Sequence, residues 1–201
     1  MATAVLDKLK AATRIEACVA DVDVVTCLGD MSRERYIDYL QRSFRFEEPF
    51  ECACVMTPAL ARYADPASWT RTRFIAEDLV ALGLAAEKLL ELTPCPLGAF
   101  EDVSDALGWL YVAERNVMTN SVVHRQMVQR APEVAAVARY LRCYGTATGA
   151  RWRAFGASLE RAVADGANEG HMIEAALHAF DFFHRWLQPE PRPATVEAGQ
   201  R

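Results

Sequence analysis

Histidine and cysteine side chains could ligate a metal ion or act as nucleophiles, and this chain carries four of the first and six of the second. The histidines are His124, His171, His178 and His184. His171 and His178 lie seven residues apart in a segment of helical periodicity, which separates them by ~10.5 Å along the axis, too far to chelate one ion. Cys52 and Cys54 are the closest cysteines, and no partner follows at zinc-finger spacing. The sequence therefore predicts isolated histidines, packing thiols and no metal site.

Motifs for other common chemistries are missing from the sequence as well. There is no HExxH motif and no paired Glu-x-x-His, so neither a zinc peptidase nor a di-iron bundle is predicted. There is no nucleophile elbow and no glycine-rich phosphate-binding loop. Any chemistry must therefore come from a constellation that short motifs do not reveal.

The composition restricts the class of partner. The chain is 52% hydrophobic and 24% charged, with a formal net charge of -5, which is typical of a globular protein with an ample core. It contains no run of basic residues, so we expect neither nucleic acid nor an anionic membrane as a partner. No signal-peptide pattern and no stretch of ~20 apolar residues is visible, and a cytoplasmic location is expected.

Helical periodicity dominates the chain, and strand-like alternation is almost absent. Ser32, Ser104 and Asn168 are predicted N-caps, whereas Pro49 and Pro132 are predicted to interrupt or end helices. The sequence indicates one all-α domain over residues 1–187 and a disordered, proline-rich tail over residues 188–201. Helices are predicted over residues 3–20, 32–46, 69–82, 85–90, 105–129, 133–165 with a break, and 168–187.

Three collinear segments resemble the biliverdin-forming heme oxygenases, especially the bacterial ones. The first is Leu-Lys-Ala-Ala-Thr at residues 9–13, and the second is Gly-Trp-Leu-Tyr-Val-Ala-Glu at residues 108–114. The third, and the most specific, runs from Tyr144-Gly145 through Thr148-Gly149 and Arg151-Trp152 to Phe155. Together with the apolar last helix they span residues ~5–187. The resemblance implies a multi-helix heme oxygenase-like fold.

That family holds heme between an opening helix and a long distal helix. Its iron is bound by a histidine four residues after the threonine of the opening motif, which here is Thr13. The matching position is Ala17, and a methyl group cannot coordinate iron. Cys18 is next in sequence, but one residue turns a helix by ~100°, so we expect its sulfur to point away.

The distal helix also departs from the family pattern. A glycine pair in the family lets the helix backbone approach heme and leaves room for O₂. Thr119 and Asn120 stand at these positions, and both side chains are expected to protrude into the heme space. Asn116 lies where animal relatives carry a water-organising acid. The alternative interpretation is that this helix simply packs with better helix propensity than glycine allows.

Some positions still suit an acidic ligand. The resemblance places Lys10 and Tyr111 near the cleft, and Arg151 and Arg153 could bind a propionate because guanidinium suits carboxylates. The alternative for the two arginines is a solvated helix face.

Loss of both the iron ligand and the glycine pair favours a divergent heme oxygenase homologue without heme-degrading activity. It would act as a binding or regulatory protein whose cleft takes heme, a bilin or a protein segment, and it would require no cofactor. One alternative is a working heme oxygenase that uses an unusual iron ligand. Another is a helical interaction module in signalling. A tetrapyrrole, a protein partner or a second copy of the chain are the partners to consider.

Overall fold

The computed structural model describes residues 4–65 and 69–188. Those residues contain no β-strand, so the predicted all-α fold is confirmed. The predicted disordered tail lies outside the described residues from position 189 onward. Short 3₁₀ turns occupy Pro58–Arg62 and Gly145–Ala147. The α-helices are α1 (Ala4–Ala12), α2 (Arg14–Leu28), α3 (Arg33–Val55), α4 (Thr72–Ala81), α5 (Glu87–Leu90), α6 (Val103–Arg130), α7 (Pro132–Ala135), α8 (Arg139–Arg142), α9 (Thr148–Ala164) and α10 (Glu169–Leu187). None of these helices is long and apolar enough to cross a membrane.

The starts of α3, α6 and α10 follow local capping chemistry. The Ser32 hydroxyl accepts a hydrogen bond from Arg35 N, and Asn168 Oδ1 accepts one from His171 N, so both predicted caps are confirmed. The prediction for Ser104 is wrong, because α6 begins at Val103 and Asp102 is its cap. Asp102 Oδ1 accepts from both Ser104 N and Asp105 N, which satisfies two free helix donors at once.

Pro49 does not interrupt α3, contrary to the sequence-based expectation. A proline inside a helix leaves the carbonyl four residues earlier without its usual donor. Here that carbonyl belongs to Arg45, and Cys95 N donates to it at 2.8 Å from the loop before α6. Because this loop replaces the missing hydrogen bond, α3 continues to Val55.

The opening helix, which the sequence predicts as one piece, is divided at Thr13 into α1 and α2. The Thr13 hydroxyl donates to the Leu9 carbonyl at 2.8 Å. The Tyr111 hydroxyl lies 3.1 Å from Thr13 Oγ1, and Tyr111 is the donor because the threonine proton is already used. This buried contact fixes the junction of α1 and α2 against α6.

Helix α6 is the centre of the fold and packs most extensively against α10. Gly108 lies where these two helices cross. An added Cβ there would come within 2.4 Å of the Met172 carbonyl oxygen. The close approach therefore requires glycine. An aromatic cluster that includes Phe46, Trp109 and Phe183 fills the core between α3, α6 and α10.

Candidate functional site

A cleft of about 460 Å³ opens between α2 and α6, which is within the range of small-molecule sites. Its α6 wall follows from helical spacing, because Tyr111, Arg115 and Thr119 are each four residues apart and share one face. On the other wall, Ala17 lies one turn after Thr13. Trp152 of α9 closes one side, with its ring centroid 5.8 Å from that of Tyr111.

Four of the sequence-predicted positions line this cleft: Lys10, Ala17, Tyr111 and Thr119. Lys10 lies at the rim, where its Nζ is 3.1 Å from Asp7 Oδ1, so part of its charge is already balanced. Tyr111 is buried, and burial raises the pKa of its phenol, which keeps it a neutral hydrogen-bond donor. Ala17 is half-buried and presents only its methyl group.

The other predicted positions lie elsewhere. Asn116 and Asn120 are buried in the core and do not line the cleft. Asn120 Oδ1 accepts a hydrogen bond from the Tyr39 hydroxyl at 2.9 Å, so the expectation that it would protrude into the heme space is not met. The reason is helical geometry, because the side chain of Asn120 leaves the helix in a direction rotated by ~100° from that of Thr119.

Arg151 and Arg153 do not line the cleft either, because Trp152 between them is the α9 residue that faces it. The Arg151 guanidinium lies over the Tyr144 ring, 4.0 Å from its centroid, and borders a separate cavity of about 220 Å³. Arg153 is exposed. The structure therefore does not bring these two arginines to the predicted ligand.

A polar bridge crosses from α2 to α6 next to Ala17. Arg115 donates to Asp21 through both terminal nitrogens, Nη1 to Oδ1 at 2.6 Å and Nη2 to Oδ2 at 2.5 Å. The Thr119 hydroxyl donates to Asp21 Oδ1 at 2.7 Å. Such a bidentate pair is among the stronger polar contacts in proteins. With the Thr13–Tyr111 contact, it ties the cleft walls together on both sides of Ala17.

Sequence reasoning missed Arg115, which forms this bridge. Its spacing of four residues from both Tyr111 and Thr119 was a usable signal, since residues at that spacing share a helix face. Cys18, whose sulfur is expected to point away from the iron position, also lines the cleft beside Ala17. Four further lining residues were not predicted: Arg14, Met118, Val122 and Trp152.

The cleft does not fit a heme whose iron is held by imidazole. His171 and His184 face aspartates, with His184 Nδ1 2.6 Å from Asp23 Oδ2. His178 packs edge-on against the Trp109 ring, and His124 is absent from the cleft lining. Across residues 4–65 and 69–188, no group of three histidine, cysteine or acidic side chains could hold a metal ion.

A second polar site lies deeper between α6 and α9. Glu114 is buried, and the Tyr144 hydroxyl donates to its Oε1 at 3.1 Å. Burial raises the pKa of Glu114, while the nearby Arg71 guanidinium acts in the opposite direction. This carboxyl borders the cavity beside Arg151.

Comparisons with known proteins agree with this architecture. A solved structure of heme oxygenase from Neisseria meningitidis, from a study of its NO-bound and CO-bound forms, superposes with a TM-score of 0.70 at 21% sequence identity, covering 93% of this chain and 91% of that one. This superposition shows a shared fold. No curated protein matches the chain. The sequence model of the heme oxygenase family matches residues 3–189, so the chain belongs to the heme oxygenase family.

Proposed function

We propose that this family member is a binding protein that does not degrade heme. The observation that carries the proposal is the cleft wall at Ala17, which offers no iron-ligating atom where the resemblance places the family's histidine. The Asp21–Arg115–Thr119 bridge beside it supports the same conclusion, because its side chains occupy space between the two helices.

The remaining cleft residues suit a flat, apolar ligand with acidic groups. Trp152, Met118 and Val122 offer apolar surface, and Arg14 and Lys10 bring positive charge to the rim. Planar molecules stack favourably on aromatic rings, and guanidinium groups pair with carboxylates. A tetrapyrrole with carboxylate side chains, either a bilin or a porphyrin, combines both features, and its binding here would not depend on iron.

A hemin titration tests this proposal. The purified protein is titrated with hemin, the Soret band is followed, and a reductant is then added in air while biliverdin is monitored. We expect no Soret shift typical of histidine-ligated heme and no biliverdin. Conversion of bound hemin to biliverdin would overturn the proposal.

A gain-of-ligand variant provides the converse test. Ala17→His places an imidazole on the cleft wall, and we expect it to produce the Soret shift that the natural chain lacks. Ile15→His is the matched control, because it puts a histidine on the exposed side of the same helix. If both variants behave alike, the cleft does not admit heme at position 17.

A working heme oxygenase remains the second candidate, and the position of Cys18 favours it. Its thiol is exposed and lines the cleft, and a cysteine thiolate is a known type of heme ligand. Under this alternative, hemin gives a thiolate-type spectrum and biliverdin, and Cys18→Ser abolishes both. If Cys18→Ser leaves the hemin spectrum unchanged, thiolate ligation is excluded.

A further inference from the structure

Helix α2 is apolar on two opposite sides. Its inner side buries Ala20, Val24 and Leu28 in the core. Its outer side leaves large apolar residues in solvent, with Ile15 70% exposed, Val22 63% and Val25 49%. A surface helix usually presents polar residues outward. The outer side of α2 therefore has the composition of an interface.

The exposed residues follow the spacing of a coiled-coil seam. Ile15, Cys18, Val22 and Val25 succeed one another at steps of three, four and three residues, and all four are exposed. This is the a/d pattern of a heptad repeat, which repeats every 3.5 residues and directs side chains toward a second helix. We refer to these four residues as the α2 seam.

We propose that the α2 seam pairs with the same seam of a second copy of this chain, with the two helices antiparallel. In this arrangement Ile15 of one copy lies opposite Val25 of the second copy, and Cys18 lies opposite Val22. The twofold axis then passes near residue 20, and each apolar layer occurs twice. Such self-complementarity is what a closed, isologous dimer requires.

The charges at the two ends of α2 favour a second copy in the antiparallel direction. Arg14 is exposed at the first residue of α2, and no basic residue occupies the last turn. The exposed Asp30 follows the carboxyl end of the helix. In this antiparallel register Arg14 lies opposite the last turn of α2 in the second copy, which is partly negative, and Lys10 lies opposite Asp30 of the second copy. Parallel pairing would instead place Arg14 against Arg14 and Asp30 against Asp30.

The surroundings of the seam extend the apolar area. Val19 of α2 and Met118 and Val122 of α6 are also exposed on this side. A four-layer seam alone is small compared with the ~800 Å² per partner of stable interfaces. We therefore expect a dimer whose population depends on protein concentration. Cys18 of the seam, and Met118 and Val122 beside it, also line the cleft, so paired seams would cover the mouth of the cleft. The proposal itself does not rest on ligand binding there.

Sedimentation equilibrium of the full chain tests whether a second copy covers the α2 seam. We expect the mass to approach twice that of one chain as concentration rises. Val22→Lys places charges near the axis and is expected to keep the chain monomeric. Val55→Lys is the matched control, since Val55 is 70% exposed on α3, and it should dimerise like the natural chain. Circular dichroism checks that both variants stay folded. A monomer at every concentration, or a dimer that Val22→Lys does not weaken, would overturn the proposal.

Disulfide trapping tests the register. Val22→Cys puts a thiol opposite the natural Cys18 of the second copy, so mild oxidation should produce covalent dimers joined between positions 18 and 22. Peptide mass spectrometry identifies the joined positions. Adding Cys18→Ser to that variant should abolish this cross-link, and the natural chain should not form it. A dimer that forms without the 18-to-22 cross-link contradicts the antiparallel register.

Discussion

At the scale of single residues, Arg71 shows how a buried charge can organise the fold. Arg71 lies just before α4, and its guanidinium is buried in the core. Its Nη2 is 2.9 Å from Glu47 Oε2, and its Nη1 donates to the Ala113 carbonyl. The Tyr140 hydroxyl donates to the other oxygen of Glu47 at 2.9 Å. The pair thus joins α3, α6 and α8 to the start of α4.

Removing one member of this pair should cost more than removing both. We expect Arg71→Met to lower the free energy of unfolding by about 3–5 kcal/mol, because Glu47 would remain buried without its partner. The double variant Arg71→Met with Glu47→Gln should recover part of that loss. Urea unfolding measures both. As a control, Arg185→Ala removes an exposed pair with Asp181 and should cost less than about 1 kcal/mol. Equal losses in the single and double variants would contradict the expectation.

Glu114 should make stability depend on pH. Burial raises its pKa above the ordinary value of 4.5, so the folded state keeps the proton at pH values where the unfolded chain has released it. The unfolding free energy contributed by this group therefore falls as pH rises above about 4.5. Glu114→Gln removes this titration and keeps an acceptor for Tyr144.

The measurement is urea unfolding of both proteins across the pH range. We expect the stability of Glu114→Gln relative to the natural chain to increase as pH rises from below 4.5 toward 8. The values below 4.5, where both side chains are neutral, provide the baseline. A difference that stays constant with pH would show that Glu114 is not destabilised by burial.

At the scale of helices, the crossing of α6 and α10 depends on the absence of a side chain at Gly108. Alanine usually improves helix stability over glycine by up to about 1 kcal/mol. At Gly108 the new Cβ would meet the Met172 carbonyl at 2.4 Å and the Ala175 Cβ at 2.7 Å. Backbone atoms cannot move aside as a flexible side chain can, so the helices must separate.

We therefore expect Gly108→Ala to destabilise the protein by about 1–3 kcal/mol, as overpacking does in other cores. Gly149→Ala is the matched control in α9, since the nearest atom to its added Cβ is 3.7 Å away, on the flexible Arg153 side chain. It should be neutral or stabilising by up to about 1 kcal/mol. Thermal unfolding compares the two, and a stabilised Gly108→Ala would refute the close-packing account.

At the scale of the whole molecule, the cleft joins segments that are distant in the chain. Helices α1 and α2 come from the first part of the sequence, α6 from the middle and α9 from near the end, and each contributes to the lining. A ligand that contacts all of them stabilises the folded state as a unit. Its effect should therefore appear in global unfolding.

Thermal unfolding with two matched porphyrins tests whether iron contributes to binding. Because Ala17 cannot ligate iron, hemin and metal-free protoporphyrin should raise the midpoint of unfolding by similar amounts. At a ligand concentration 100 times the dissociation constant, the stabilisation is about 2.7 kcal/mol. In Ala17→His, hemin should become the more stabilising of the two. A shift with hemin alone in the natural chain would indicate that the protein ligates iron and contradict the proposed function.

The sequence by itself determined the helical class, most of the helix positions and the family, because periodicity, caps and collinear motifs are local properties. Through the family resemblance it also singled out Ala17, four residues after Thr13, as the position that matches the family's iron ligand. Only the tertiary structure decided which side chains enter the cleft. The Asp21–Arg115 bridge and the Arg71–Glu47 pair join residues far apart in the chain, and the Cys95 donor that preserves α3 at Pro49 comes from a separate loop. Each depends on how helices are rotated against one another. Because one residue turns a helix by ~100°, that rotation separates Thr119 in the cleft from Asn120 in the core.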